Sequence, residues 1–283
     1  MQRELLSGQA IRSQQASAAL LSRKIGAAFA SGAFGIVEWC YDINPYMASD
    51  NEVAIGLRRV DGSYKPEHQV MRKFADFIAR NRARFEKPKK AEVVMILPSA
   101  DHYSTRAMQA AATQRITDIL LRELGVAFQV VSEYRTQQDL GLPRLIVLPS
   151  CSGISASAWE GIRKAVESGA ILHCSGLFEA DDVGYPAERI GGEARELAQF
   201  EELLVGSERG LLHFPKEVTE SWKTSAESKI RSISIGKGSI IHYPQPIDLA
   251  DRDRLQRLCY EHTLKVAGIK TFPNPTGVLI RRI

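Results

Sequence analysis

Apolar residues recur at helical spacing in two stretches near the start of the chain. In the first stretch they are Ala18, Leu21, Ile25, Ala28 and Phe29, and Gly32 supplies a C-terminal stop. The second stretch begins at Pro66, and its stripe consists of Val70, Met71, Phe74, Phe77 and Ile78. Residues 34–43, FGIVEWCYDI, are rich in aromatic and β-branched residues and predict a buried strand. The first 80 residues therefore predict a helix, a strand, a long loop and a second helix.

The pattern changes after residues 80–90, RNRARFEKPKK. This basic stretch could bind phosphate, but we interpret it as a helix end and linker. Beyond it, strands are predicted in EVVMILPS, VAFQVV, RLIVLPS and AILHCSG. One intervening helix carries Ile116 and Leu120, and another carries Ile162 and Val166. Strands that alternate with helices favour a parallel sheet with right-handed crossovers.

The last hundred residues are less regular. Residues 177–225 are polar and have no clear periodicity, so no element is predicted there. Residues 233–243, ISIGKGSIIHY, predict a strand pair or a bent strand, and an amphipathic helix is predicted over 249–267. The final segment, GVLIRRI, looks like the start of a strand. The predicted organisation has three parts, which are residues 1–88, residues 89–270 and a further β segment at residues 271–283.

The composition excludes several classes of protein. The chain is 44% hydrophobic and 25% charged, and its net charge of +4 gives no reason to expect a nucleic acid or membrane partner. No apolar run reaches the ~20 residues of a membrane span. The N-terminus lacks the apolar core of a signal peptide, which favours the cytoplasm unless the chain is truncated.

Cysteine and histidine positions do not indicate a metal or a nucleotide cofactor. The four cysteines, at positions 40, 151, 174 and 259, form no C-x-x-C pair, so we expect buried thiols in a reduced protein. There is no H-E-x-x-H and no G-x-G-x-x-G. IGKGS at 235–239 lacks the first glycine of a phosphate loop, because Arg231 occupies that position, and a tight turn is expected instead.

Three phrases in the first 80 residues resemble the end of the catalytic barrel of clan A glycoside hydrolases, of the cellulase and β-galactosidase type. They are AFASGA at 28–33, GIVEWCYD at 35–42 and GLRRVDGSYKPEHQVMRKFADFI at 56–78. Residues 91–268 resemble the amidotransferase-like domain that follows the barrel in β-galactosidases with a trimerisation domain. The phrases LPRLIVLPS and WEGIRKAVESGAILHCSG carry that second resemblance.

The resemblance implies an α/β fold in which the truncated end of a (β/α)8 barrel is followed by a flavodoxin-like, class I amidotransferase-like, parallel-sheet domain. It implies a carbohydrate substrate for which Trp39, at the end of the eighth strand, is a stacking platform. A core aromatic is the alternative for Trp39. Glu38 would assist it or simply be a paired or solvated carboxylate, and Asn44, Tyr46 and Asp50 would lie at the rim.

The catalytic carboxyls are not expected in this chain. A (β/α)8 barrel needs about 250 residues, and the resemblance implies that the acid/base and the nucleophile come from the fourth and seventh strands, respectively, which would precede Met1. Retaining enzymes place the two carboxyls about 5–5.5 Å apart and inverting enzymes about 6.5–9.5 Å apart. Glu38 and Asp42 would lie about 13 Å apart along a strand, which suits neither mechanism.

Two rival hypotheses remain open beside that of an incomplete, inactive glycoside hydrolase. One is a non-catalytic module that forms a homo-oligomer. The other is a cysteine-dependent amidohydrolase, because Cys174 follows a strand in LHCSG, with His213 or His242 as its base; His173 would point to the opposite face. Cys151 is a weaker nucleophile candidate. The LPS sequences that end two strands, at Ser99 and Ser150, could form a ligand pocket but more simply end those strands.

Overall fold

The computed structural model describes residues 8–30, 33, 35–46, 55–85, 91–99, 108–190, 192–227, 229–251 and 254–272. The chain divides into two compact units. Unit 1 comprises Met1–Lys89 with Arg281–Ile283, and unit 2 comprises Lys90–Ile280. The strand predicted for GVLIRRI lies outside the described residues.

Unit 1 contains two long helices, α1 (Gly8–Ala30) and α2 (Pro66–Phe85). They pack through Phe29, whose ring meets the edges of Phe74 and Phe77 at centroid distances of 5.7 and 5.6 Å. Both helices were predicted from their apolar stripes. The buried core is small: among the described residues of unit 1, only three apolar residues are buried, and these are Ala18, Ile25 and Leu57.

The prediction of a buried strand at residues 34–43 is wrong. Residues 35–43 form no ladder, and the segment has one bridge, between Asp42 and Arg58. Its side chains are largely exposed, with Val37 93% and Trp39 73% accessible. A strand needs a hydrogen-bonded neighbour along its length, and the described residues of unit 1 provide none beyond this bridge.

Unit 2 is built on a six-stranded sheet with a parallel core. In chain order its strands are β1 (Val93–Leu97), β2 (Gln129–Ser132), β3 (Leu145–Leu148), β4 (Ile171–Ser175), β11 (Arg231–Ile235) and β12 (Gly238–Tyr243). The spatial order is β11-β12-β4-β3-β1-β2. Every neighbouring pair is parallel except β11 with β12, which is an antiparallel hairpin at the edge. This confirms the predicted parallel sheet and resolves residues 233–243 as a strand pair.

Helices cover both faces of the sheet. On one face lie α3 (Met108–Thr117), which continues as a π-helical segment over Asp118–Glu123, and α7 (Arg254–Val266). On the other lies α5 (Ala156–Glu167), which begins where the Ser155 side chain accepts a hydrogen bond from the Ala158 N–H. Alternate strand residues enter opposite cores: Met95 faces α3, and the adjacent Ile96 faces α5. The central strands are buried on both faces, so their sequences read as continuous apolar runs.

The stretch at 177–225, for which no element was predicted, consists of short hairpins and a helical turn. Its elements are β5 (Phe178–Ala180), β6 (Pro186–Ile190), β7 (Ala194–Glu196), β8 (Phe200–Val205), β9 (Glu208–His213), α6 (Lys216–Thr219) and β10 (Lys223–Ser225). The pairs β5–β6, β8–β9 and β7–β10 are antiparallel. A further short helix, α4 (Thr136–Asp139), precedes β3.

Candidate functional site

Trp39 is a surface residue of the segment at 35–46 in unit 1. Its side chain is 73% exposed, and those of Val37 and Tyr41 are also exposed, whereas Ile36, Glu38 and Cys40 are partly covered. The peptide bond between Trp39 and Cys40 is cis. Trp39 is thus not a core aromatic among the described residues of unit 1.

Glu38 faces a different part of unit 1, where it lines a cleft of about 300 Å³. The cleft is bounded by α1, by residues 55–57 and by the start of α2, and its other lining residues are Ser17, Leu20, Leu21, Lys24, Ile55, Gly56, Leu57, Lys65 and Glu67. Burial lowers the pKa of Lys65. The Oε2 atom of Glu67 is buried and has no hydrogen-bond partner. Two carboxylates and two lysines therefore share this cleft, and adjacency to Trp39 in sequence does not place Glu38 beside the indole.

Asn44 and Tyr46 form a local turn. The Oδ1 atom of Asn44 accepts a hydrogen bond from the Tyr46 N–H at 3.1 Å, and Tyr46 is 93% exposed. Asn44 is therefore partly occupied in shaping the backbone, while Tyr46 projects into solvent. Asp50, the other residue predicted at the rim, lies outside the described residues.

Two residues of this segment, Tyr41 and Asp42, have partners that the sequence did not predict. Asp42 forms a two-point ion pair with Arg58, with Nε–Oδ1 and Nη2–Oδ2 distances of 2.5 and 2.9 Å. The hydrogen bonds from Arg58 hold the pKa of the Asp42 carboxyl below its usual value. A carboxylate held ionised in this way is poorly suited to act as a general acid. The Tyr41 hydroxyl lies 3.0 Å from the Tyr64 hydroxyl. Sixteen or more positions separate these partners in the chain, so no local sequence pattern predicts that they meet.

Cys174 has the properties of an inert buried thiol. It is fully buried on β4, and burial raises its pKa, whereas a nucleophilic cysteine needs a lowered pKa and access to substrate. The register places His242 on β12 directly beside it, but the His242 Nε2 pairs with the Gly176 carbonyl at 2.7 Å. His213 instead pairs with Asp251, at an Nδ1–Oδ2 distance of 2.5 Å. Cys151 is also fully buried.

The serine hydroxyls at the two strand ends that carry LPS both contact other protein groups. Ser150, after β3, is fully buried and contacts the Ser175 hydroxyl at 2.6 Å and the Asp248 carboxylate at 2.9 Å. Ser99, after β1, lies 3.0 Å from the Ser132 hydroxyl. The polar cluster after β3 and β4 therefore ties the sheet to the segment beyond β12 and presents no accessible group to a ligand.

The turn at IGKGS joins β11 to β12, as expected. Gly236 has a φ of +57°, and a Cβ atom on it would lie 2.5 Å from the Glu167 carbonyl oxygen. The Lys237 N–H donates to the same carbonyl at 2.9 Å. Its glycines thus permit close packing against the end of α5.

No group of three or more His, Cys, Asp or Glu side chains among the described residues is arranged to hold a metal ion. No described helix is long and apolar enough to cross a lipid bilayer.

Neither a protein-family model nor a curated protein sequence matches this chain. Its fold, however, is similar to that of solved β-galactosidases. A catalytic mutant of Gan42B, a GH42 beta-galactosidase from G. stearothermophilus, superposes with a TM-score of 0.67 at 12% identity, over 92% of this chain. The beta-galactosidase from the psychrophilic Marinomonas ef1 gives 0.67 at 14% identity over 92%, and that from Bacillus circulans sp. alkalophilus gives 0.67 at 13% over 90%.

The chain spans less than half the length of these enzymes, namely 42% of Gan42B and 43% of the Marinomonas protein. The structural resemblance to clan A β-galactosidases inferred from the sequence is therefore confirmed at the level of the fold.

Proposed function

We propose, on the premise of this shared fold, that the chain is the carboxyl-terminal part of a glycoside hydrolase acting on β-linked sugars. Unit 1 would supply the end of a (β/α)8 barrel, and unit 2 would be a flavodoxin-like accessory domain. The observation that carries the proposal is the similarity over 92% of this chain but only 42% of a GH42 β-galactosidase. The two catalytic carboxyls would then belong to a preceding part of the protein.

Features of both units support this assignment. Among the described residues of unit 1, three apolar residues are buried, which is few for an independent domain of this length. In unit 2, the five parallel strands follow the order 2-1-3-4-5 if β12 is counted as the fifth, which is the order of flavodoxin-like sheets.

In this proposal Trp39 stacks on the apolar face of a sugar ring, and Tyr46 and Asn44 lie at the rim of the site. Glu38 contributes only indirectly to sugar binding, because it lines the cleft between α1 and α2. Aromatic side chains are well suited to this role, since they present a rigid apolar face while polar groups bind the hydroxyls. No cofactor is required by this chemistry.

Two measurements test the proposal. The purified 283-residue chain should release no chromophore from an aryl β-galactoside. Measurable turnover by the chain itself, and not by a contaminant, would overturn the assignment of the carboxyls to another segment. The DNA upstream of the Met1 codon should contain an open frame that encodes a short apolar strand ending in Glu. A stop codon in frame immediately upstream would contradict the longer hydrolase.

A second candidate function is a structural module that associates with another copy of the chain. The outward face of the β8–β9 hairpin favours it, because Phe200, Leu204 and Leu211 are 57%, 48% and 59% exposed there. Light scattering at tens of micromolar should show an oligomer that Leu211→Glu disrupts. Leu142→Glu, at an exposed leucine away from the hairpin, is the matched control. A monomeric wild type would remove this candidate.

The cysteine-dependent amidohydrolase hypothesis has no comparable support. It requires the buried Cys174 thiol to become exposed and ionised. Unchanged hydrolysis of amide substrates by a Cys174→Ala variant would eliminate it.

A further inference from the structure

A compact aromatic cluster in unit 1 includes Tyr41, which is two positions after Trp39 in the chain. The Tyr64 ring stacks on His68, with a centroid distance of 3.9 Å and an interplanar angle of 21°. Tyr41 meets both rings edge-on, at 6.4 and 6.5 Å. The rings of Tyr41 and Tyr64 remain about half exposed, at 51% and 48%. The arrangement thus keeps aromatic surface in contact with solvent and fixes its orientation.

Backbone hydrogen bonds join the chain segments that carry these rings. The N–H groups of Leu57 and Arg58 both donate to the Tyr41 carbonyl, at 2.8 and 2.9 Å, and the Ile43 N–H donates to the Arg58 carbonyl at 3.0 Å. A further bridge pairs Arg58 with Tyr64. These backbone contacts accompany the ring contacts and leave the Tyr41 and Tyr64 rings half exposed.

A charged fork borders the rings. The Arg58 guanidinium lies 5.4 Å from the centre of the Tyr41 ring and forms its two-point ion pair with Asp42. Asp42 neutralises Arg58, so the patch has little attraction for an anion. Carboxylate oxygens accept hydrogen bonds and the guanidinium donates them, which together suit hydroxyl groups that both donate and accept.

We infer that Tyr41, Tyr64 and His68, with the Asp42–Arg58 pair, form a carbohydrate-binding patch for a sugar ring next to the ring bound at Trp39. Apolar C–H faces of that ring contact the tyrosines, and its hydroxyls bind the fork. Tyr41 is two positions from Trp39 in the same segment, and two residues span at most about 7 Å, so we expect one oligosaccharide to reach both side chains. The substrate class is therefore an oligosaccharide with more than one ring in contact with unit 1. This inference rests on the proposed function through the role of Trp39.

The test compares the affinities of the full chain for a monosaccharide and for a trisaccharide. Methyl β-galactopyranoside and β-1,4-galactotriose are titrated into the wild type and followed by NMR shifts. Tyr64→Leu should weaken binding of the triose about five-fold and leave the monosaccharide unaffected, since it removes an aromatic contact. Tyr185→Leu, at a tyrosine of unit 2 that is 71% exposed, should change neither affinity. Trp39→Ala should weaken both.

The outcomes separate the two proposals. The patch is overturned if Tyr64→Leu leaves triose affinity unchanged, or if the wild type binds the triose no more tightly than the monosaccharide. The platform role of Trp39 fails independently if Trp39→Ala alters neither affinity. Tyr64→Phe keeps the ring and should retain triose affinity within about two-fold. If Tyr64→Phe has the melting temperature of the wild type but loses as much triose affinity as Tyr64→Leu, stacking on the Tyr64 ring would be excluded.

Discussion

The carboxylate of Asp248 accepts two hydrogen bonds from Ser150, one from its N–H and one from its Oγ, both at 2.9 Å, although 98 residues separate them. The Ser175 hydroxyl donates to the same oxygen at 3.2 Å, and the Tyr260 hydroxyl donates to the other at 2.5 Å. All four residues are buried. This cluster joins the ends of β3 and β4 to α7, so its energetics should govern the stability of unit 2.

Replacing Asp248 by Ala should destabilise the protein strongly. The variant leaves several buried donors without an acceptor, and we expect a loss on the order of 3 kcal/mol in the free energy of unfolding. Asp248→Asn keeps one acceptor oxygen and should cost less. Urea unfolding measures both, with Glu193→Ala at an exposed carboxylate as the control. Equal stability of Asp248→Ala and wild type would show that the cluster contributes nothing.

The same residue should make stability depend on pH. Burial raises the pKa of Asp248 above its usual value, despite the hydrogen bond from Tyr260. Because the folded state then binds the proton more readily than the unfolded state, this contribution is complete below the unfolded pKa of about 3.9 and is lost as pH rises through the folded pKa. The stability of wild type relative to Asp248→Asn should therefore fall as pH increases from about 4, in urea titrations at each pH. A difference that stays constant with pH would contradict the raised pKa.

His173 should make stability rise with pH, which is opposite to the effect expected for Asp248. It is fully buried, its Nδ1 lies 2.9 Å from the Thr263 hydroxyl, and burial lowers its pKa to about 3. The folded state holds it neutral, so its contribution is present above the unfolded pKa of about 6.5 and is lost as pH falls toward the folded value. His173→Asn should reduce the slope of stability against pH between these two values. An unchanged slope in this range would mean that His173 is not held neutral by folding.

The Arg195–Glu201 pair should contribute more than an exposed pair of the same type. Glu201 is 5% exposed, and Arg195 reaches both of its oxygens, at 2.7 and 2.6 Å. Arg195→Lys loses the second contact and should cost on the order of 1–2 kcal/mol. Arg135→Lys, in the exposed pair with Asp139, should lower the free energy of unfolding less than Arg195→Lys does, because solvent screens an exposed ion pair. Similar losses at both sites in chemical denaturation would refute the difference.

The first residue of β12, Gly238, should not tolerate a side chain. A Cβ on Gly238 would lie 2.1 Å from the Ala170 carbonyl oxygen and 2.3 Å from that of Val166. Gly238→Ala should therefore lower the free energy of unfolding by about 2 kcal/mol or more. Gly206 has a φ of +63° and open space around it, so Gly206→Ala should cost only about 1 kcal/mol. Thermal melts of the two variants measure the difference, and equal shifts would count against close packing.

Parts of unit 2 were predictable because their signal is local. Continuous apolar runs such as VVMIL and LIVL predicted buried parallel strands, and both form the centre of the sheet. β8 escaped prediction because its buried positions include Glu201, while Phe200 and Leu204 face outward. The usual alternation of buried apolar and exposed polar residues is therefore disrupted in β8, because the ion pair with Arg195 allows a charged residue to be buried.

In unit 1, the sequence by itself determined the two helices and drew attention to Trp39, because helical periodicity and a short aromatic run are properties of neighbouring residues. The tertiary structure decided that residues 35–43 form no ladder, that Glu38 lines a cleft, and that Tyr41 meets Tyr64 and His68. It also decided that Ser150 would meet Asp248. Strand pairing, ion pairs and aromatic clusters depend on residues far apart in the chain, so only folding brings their partners within contact distance.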